Sequence, residues 1–152
     1  MSAVEIHTAV EADLPRLRDV FREASWSNEG NRELFVEHPE FLELAADAVR
    51  EGRTRAAAID GTIVGFASLA DASGWLELED LFVDPAFMRQ GVGRALINDV
   101  AEQARQRGIS RVEVDANDHA LRFYEEVGFV ALARIALDHG TAVRMRLDVS
   151  DR

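Results

Sequence analysis

The stretch Phe87-Met88-Arg89-Gln90-Gly91-Val92-Gly93-Arg94-Ala95-Leu96-Ile97 decides the reading of this chain. It follows an apolar, strand-like run, Leu81-Phe82-Val83, that stops at Asp84-Pro85, and it opens a long helical pattern. Strand, glycine-bearing loop and helix start, in that order, form an anion cradle. The first amides of a helix lack intrahelical partners and carry partial positive charge, so they hold a phosphate well. Glycines at 91 and 93 remove the Cβ atoms that would keep a phosphate away from those amides. Two familiar phosphate loops fit poorly. A G-x-G-x-x-G loop needs glycine at 96, where this chain has Leu96, and no Gly-Lys-Ser/Thr follows as a P-loop requires.

A second segment narrows the choice: Asn117-Asp118-His119-Ala120-Leu121-Arg122-Phe123-Tyr124-Glu125-Glu126-Val127-Gly128-Phe129. The glycine loop resembles the acetyl-CoA loop of the GNAT acyltransferase superfamily, Arg/Gln-x-x-Gly-x-Gly/Ala. The second segment resembles that superfamily's other signature, Asn-x-x-Ala-x-x-Phe-Tyr-x-x-x-Gly-Phe. The two occur in the right order, separated by one helix and one strand, and the resemblance runs from about Ile6 to Val149. It implies an α/β (α+β) fold: a mixed, mostly antiparallel sheet of seven strands flanked by four helices, with two central parallel strands splayed apart to admit a pantetheine arm.

Composition agrees with one soluble domain spanning residues 1–152, a length that buries roughly 70% of the unfolded surface. Hydrophobic content is 47% and charged content 30%, ordinary for a globular protein. No apolar run approaches the roughly 18–20 residues of a membrane span, and the N-terminus lacks the parts of a signal peptide. A cytoplasmic location is therefore expected. With no cysteine, a disulfide scaffold, a thiolate metal site and a cysteine nucleophile are excluded. His7, His38, His119 and His139 are scattered without ligand spacing, so no metal is expected. The net charge of −11 repels nucleic acid and anionic membranes and favours a cationic acceptor such as an amine. Positive charge falls where a polyanionic ligand needs it, at Arg89 and Arg94 beside the loop.

The element order reads β-α-α-β-β-β-α-β-α-β-β. Val4–Thr8 is a strand. Asp13 reads as the N-cap of a helix to about Ala24, with Pro15 in its first turn and Leu14, Leu17, Val20 and Phe21 on one face. Pro39 opens a second helix to Arg50. Thr54–Ile59, Asp60-Gly61 and Ile63–Ala70 form a hairpin about a primed turn. Trp75–Val83 is a strand, followed by the loop, a helix from Gly91 to Arg107 and its cap at Gly108. Arg111–Asp115 is a strand, Asp118–Val127 a helix, and Val130–Leu137 and Ala142–Val149 the last strands. The strand-helix-strand unit over residues 76–115 reads as a parallel crossover.

The resemblance also assigns roles. Amides from Met88 through Arg89, Gln90, Gly91, Val92 and Gly93 to Arg94 hold the pyrophosphate of acetyl-CoA. The strand end Leu81–Phe82–Val83 pairs with the pantetheine, and an amide near Phe82 or Val83 polarises the thioester carbonyl. Met88 stands where the family pattern has Arg or Gln, which removes one side-chain contact and keeps the backbone one. Tyr124, the only tyrosine, takes the place of the general acid, and Phe123 a core position. Asn117 reads as an N-cap, and the resemblance adds a hydrogen bond to the cofactor or a bound water.

The base that takes the amine proton has several candidates. Glu77 and Glu79 share a face of their strand, and Glu113 and Asp115 share a parity on the neighbouring one. Glu113 resembles the position used by ribosomal-protein alanine acetyltransferases, and Glu77 that used by histone-type enzymes. Glu79 and Glu113 rank together ahead of Glu77. Spacing alone does not choose among them.

The implied activity is transfer of an acetyl group from acetyl-CoA to a primary amine by direct attack. The acceptor, a small-molecule amine or a protein or peptide amine, is to be read from Ser25–Pro39, the second helix and Asp138–Ala142, which hold Trp26, Asn28, Glu29 and His38. A different reading keeps the fold without turnover, as an acyl-CoA-binding sensor or partner-binding module. A third, a purely structural protein, predicts no CoA binding. The last strands and their loops offer a surface for a homodimer.

Overall fold

The computed structural model of the chain describes residues 3–27, 36–37, 46–137 and 140–149. The strands are β1 (Val4–Thr8), β2 (Thr54–Ile59), β3 (Thr62–Asp71), β4 (Leu76–Val83), β5 (Arg111–Ala116), β6 (Val130–Leu137) and β7 (Gly140–Asp148). The helices are α1 (Leu14–Ser27), α2 (Asp47–Arg50), α3 (Val92–Gln106) and α4 (Leu121–Glu126). The seven strands form one mixed sheet in the order β1-β2-β3-β4-β5-β7-β6. The chain divides into two compact units: Met1–Ser68 with Asp80–Leu96, and Leu69–Glu79 with Ile97–Arg152.

In the first unit β1, β2 and β3 are antiparallel neighbours. The β2–β3 turn is the one Asp-Gly dictates: Asp60 and Gly61 take φ of 50° and 80°, the left-handed pair of a primed turn. Leu14, Leu17 and Val20 recur at three-residue steps along α1 and are buried. They pack with Ala9, Val49, Ala56, Ile63 and Phe66, while Phe21 and Phe82 close the cluster. Alanines at 56, 57 and 58 keep the centre of β2 thin and buried. Thr54 and Ser68 are buried too, but their hydroxyls bond each other at 3.0 Å, so neither polar group is orphaned.

Gly65 on β3 sets the packing beneath the glycine loop. A Cβ there would lie 2.9 Å from the Val92 side chain and 3.0 Å from the Phe82 carbonyl oxygen. Only a residue without a side chain lets β3 pass this close to β4 and the first turn of α3.

In the second unit β4 and β5 run parallel, registered Leu76↔Val112, Glu77↔Glu113 and Leu78↔Val114, as the crossover reading required. β5 and β6 both pair antiparallel with β7. Leu76, Leu78, Val112, Val114, Val143 and Met145 are buried, and the residues between them in β4, β5 and β7 are mostly polar.

Three local expectations are corrected. Asp13 is not the N-cap of α1. A 3-10 turn over Glu11–Asp13 starts the helical segment earlier, and the Asp13 carboxylate reaches back to accept the Val10 N–H at 3.0 Å. That helix also continues to Ser27, past Ala24. The helix expected from Asp118 begins at Leu121, because the Asn117 carbonyl and side-chain oxygens both accept the Ala120 N–H, at 3.0 and 3.2 Å, and close a separate turn first. Of the second helix, residues 39–45 lie outside the described residues, as do Asn28, Glu29, His38, Asp138 and His139.

Candidate active site

The glycine loop hangs from Asp84, the residue after β4. Its side chain is buried, its N–H donates to the Val64 carbonyl at 2.8 Å, and its carboxylate accepts from Arg16 Nη2 at 2.8 Å. Arg16 Nε also donates to the Ile63 carbonyl at 2.7 Å, so one side chain of α1 ties β3 to the start of the loop. The second carboxylate oxygen of Asp84 accepts the Ala86 N–H at 3.0 Å and fixes the short turn Pro85–Phe87. Two left-handed residues follow, Arg89 at φ 65° and Gly91 at φ 80°, and α3 begins at Val92.

The Ala95 N–H donates to the Gly91 carbonyl at 2.9 Å and closes the first turn of α3. The amides ahead of it, on Val92, Gly93 and Arg94, therefore point out of the helix end. A Cβ placed on Gly91 would meet nothing within 4 Å, so the loop is uncrowded at that residue. This is the arrangement that a pyrophosphate fits. Gly93 plays a different part from Gly91: it lies inside α3, and only Gly91 needs a left-handed backbone. Met88 is exposed, as are Arg89 and Arg94.

The second unit carries a charged cluster across β4, β5 and β7. The parallel register sets Glu77 beside Glu113. Arg144 on β7 donates to both oxygens of Glu77, at 2.5 and 2.7 Å, to Glu113 at 2.9 Å and to Asp115 at 2.9 Å. The Glu77 hydrogen bonds, followed by those to Asp115 and Glu113, raise the Arg144 pKa against the effect of its burial, so the guanidinium stays charged. Arg111 Nε lies 2.8 Å from the other oxygen of Glu113 as an ion pair, although its N–H makes no directed hydrogen bond. Trp75 donates its indole N–H to Glu77 at 2.8 Å, and its ring lies against the guanidinium groups of Arg111 and Arg144 at 5.4 and 5.9 Å.

Of the base candidates, Glu77 and Glu113 are thus brought together by Arg144, and Glu113 is buried. Asp115 joins them, as its shared parity with Glu113 required. Glu79, one residue beyond the last β4–β5 pair, is exposed. Tyr124 sits in α4, only 6% exposed, with edge-to-face ring contacts to Phe123 and Phe129 at 5.3 and 5.2 Å. Phe123, expected in the core, is half-buried. Asn117 and His119 are exposed. Among the described residues no group of His, Asp and Glu is placed to hold a metal ion, and no helix is long and apolar enough to cross a membrane.

Sequence reasoning missed Arg16, Asp84, Arg111 and Arg144. The Asp115↔Arg144 pairing is visible only once the β5–β7 register is known, and Arg16 acts on Asp84 from 68 residues away.

The model of the acetyltransferase (GNAT) family matches residues 15–129. Among curated proteins, the chain is 36% identical to glucosamine 6-phosphate N-acetyltransferase of Trypanosoma brucei brucei, over 59% of each chain. It is 35% identical to N-alpha-acetyltransferase RimI of Mycobacterium tuberculosis, over 60% of this chain and 63% of that protein. The chain thus spans about three fifths of the length of these relatives. Among solved structures, the PaiA N-acetyltransferase of Thermoplasma acidophilum, determined with coenzyme A, has the same fold, with a TM-score of 0.78 at 20% identity over 96% of this chain and 99% of that one. Ard1 of Thermoplasma volcanium gives a TM-score of 0.72 at 25% identity over 98% and 99%. With the family model covering most of the chain and both of its motifs, this protein belongs to the acetyltransferase (GNAT) family.

Proposed function

We propose that the chain works as one domain, a cytoplasmic N-acetyltransferase that moves an acetyl group from acetyl-CoA to a primary amine. The observation that carries this reading is the cradle after β4, with Gly91 at φ 80° and uncrowded at its Cβ position just ahead of α3. Acetyl-CoA, when bound, supplies a thioester whose acyl group an amine can take by direct attack. Amides from Met88 to Arg94 hold its pyrophosphate, and Leu81, Phe82 and Val83 offer backbone groups to the pantetheine. An N–H near Phe82 or Val83 polarises the carbonyl oxygen. As the new C–N bond forms and the C–S bond breaks, Tyr124 gives its hydroxyl proton to the sulfur. A carboxylate takes the amine proton directly or through a water.

Both oxygens of Glu77 and of Glu113 already face guanidinium groups. A proton accepted there disrupts a charge-assisted contact. Glu77, whose oxygens take three hydrogen bonds from Trp75 and Arg144, is therefore placed behind Glu79 and Glu113 as base. The names of the relatives cover a sugar-phosphate amine and an alpha-amine. The acceptor class stays at a primary amine, with cationic ones favoured by the net charge of −11.

The exposed Met88, where the family pattern has Arg or Gln, supports a second reading, an acyl-CoA-binding module without turnover. Calorimetry with acetyl-CoA, with free CoA and NAD as controls, followed by a thiol-release screen over an amine panel, separates the two. Micromolar binding with turnover supports the enzyme. Binding without turnover on any amine supports the module, and no binding removes both.

A further inference from the structure

We infer that Met88 is an oxidation site: one oxygen from a peroxide weakens acetyl-CoA binding there, and a methionine sulfoxide reductase restores it. The inference rests on the reading of the glycine loop as the pyrophosphate site. The chain holds three methionines and no cysteine. Met145 is fully buried on β7, and Met1 lies outside the described residues. Met88 is 52% exposed, the one accessible sulfur among the described residues. Methionine in a core fills irregular gaps, and Met145 has that use. Met88 gains little from burial, and what it brings to the loop is a thioether open to oxidants.

The position gives that oxidation a consequence. Met88 leaves the turn Pro85–Phe87 in extended conformation, at φ −65° and ψ 155°, and precedes the left-handed Arg89 and Gly91. The family pattern has Arg or Gln here, and both offer N–H donors to a phosphate. A thioether offers none. A sulfoxide adds an acceptor oxygen with partial negative charge, the wrong polarity for an anionic ligand. The same oxygen competes with that ligand for the exposed guanidinium groups of Arg89 and Arg94. In the step itself the sulfur lone pair attacks one oxygen of hydrogen peroxide, the O–O bond breaks and an S–O bond forms. The sulfur loses two electrons, and the second oxygen leaves as water. The reductase returns the thioether with a dithiol as electron donor.

Full-length protein treated with hydrogen peroxide tests this by peptide mass spectrometry, circular dichroism and calorimetry with acetyl-CoA. A single added oxygen at Met88 is expected, gained more slowly when acetyl-CoA is present, with the fold intact. The oxidised protein is expected to bind acetyl-CoA about fivefold more weakly, the scale of one polar contact. Treatment with both methionine sulfoxide reductases restores the affinity. Met88→Gln keeps N–H donors and is expected to hold its affinity through the same peroxide treatment. Should Met88→Gln fail to fold, reductase rescue of the wild-type protein decides alone. Unchanged affinity with Met88 fully oxidised overturns the inference, as does a Met88 that resists oxidation. An equal loss in Met88→Gln also overturns it, by tracing the effect to another residue. Untreated protein that does not bind acetyl-CoA removes the acetyl-CoA reading of the loop itself, an outcome distinct from these, and the inference falls with it.

Discussion

The Arg16 guanidinium and the Asp84 carboxylate meet at 2.8 Å, joining α1 to the first residue of the glycine loop. Arg16 is about one-third exposed and Asp84 nearly buried, so removing the arginine strands a carboxylate whose other bonds all shape the loop. Arg16→Ala is expected to destabilise the fold by about 1–3 kcal/mol, less than a fully buried pair because water reaches one side. Acetyl-CoA affinity is expected to fall about tenfold, since the amides of α3 lose their fixed approach. Thermal unfolding and calorimetry check the two effects separately. A loss of stability with unchanged affinity removes Arg16 from the positioning of the loop.

Arg144 holds carboxylates from two strands, and the Glu113 it touches is buried. Arg144→Met keeps the length of the side chain and leaves three negative charges crowded together, a loss of about 3 kcal/mol in urea unfolding. Adding Glu113→Gln is expected to recover part of it, because one of the crowded charges then disappears. The sign with pH follows from the raised pKa of Arg144. Its stabilising effect is complete below the ordinary arginine value and is lost only as pH rises through the raised one. No alkaline limb near neutrality therefore belongs to Arg144.

Much of this was legible in the sequence. Asp60-Gly61 fixed a turn through local backbone chemistry, and the β4–loop–α3 order fixed the parallel crossover, because both depend on residues close in the chain. Asp13 misled because an N-cap and the third residue of a helical turn favour the same side chain, and only the hydrogen-bond direction separates them. The Arg144 cluster was illegible for a different reason. Glu77, Glu113 and Arg144 stand on three strands, and their meeting depends on two registers at once. Parity along one strand could align Glu113 with Asp115 but could not name the arginine between them.

Gly65 and Gly91 are glycine for different reasons, and the two substitutions separate them. Gly65→Ala forces a methyl to 2.9 Å from Val92 and 3.0 Å from the Phe82 oxygen, so an overpacking loss of about 1–3 kcal/mol is expected. Gly91→Ala meets no neighbour, and its effect comes from φ 80°, about 1 kcal/mol of backbone strain. On the proposed reading its methyl also crowds the loop that holds the pyrophosphate. The expected contrast in urea unfolding and calorimetry is a stability loss at Gly65 and mainly an affinity loss at Gly91.

Tyr124 offers the sharpest test of the chemistry, because its ring and its hydroxyl are separable. The ring packs edge-to-face with Phe123 and Phe129, contacts that Tyr124→Phe retains. The stability loss is therefore expected to stay at about 1 kcal/mol, the net worth of one hydrogen bond at the hydroxyl. As a general acid the hydroxyl contributes on the order of 10²-fold or more to kcat. In water a phenol of pKa near 10 gives its proton to a thiolate of about 8.5 slightly uphill, and removing the thiolate from water closes that gap. Tyr124→Phe is expected to lower kcat by about 10²-fold with unchanged calorimetric affinity for acetyl-CoA. If acyl transfer in single turnover proceeds at the wild-type rate, Tyr124 is a packing residue and the proton reaches sulfur by another route.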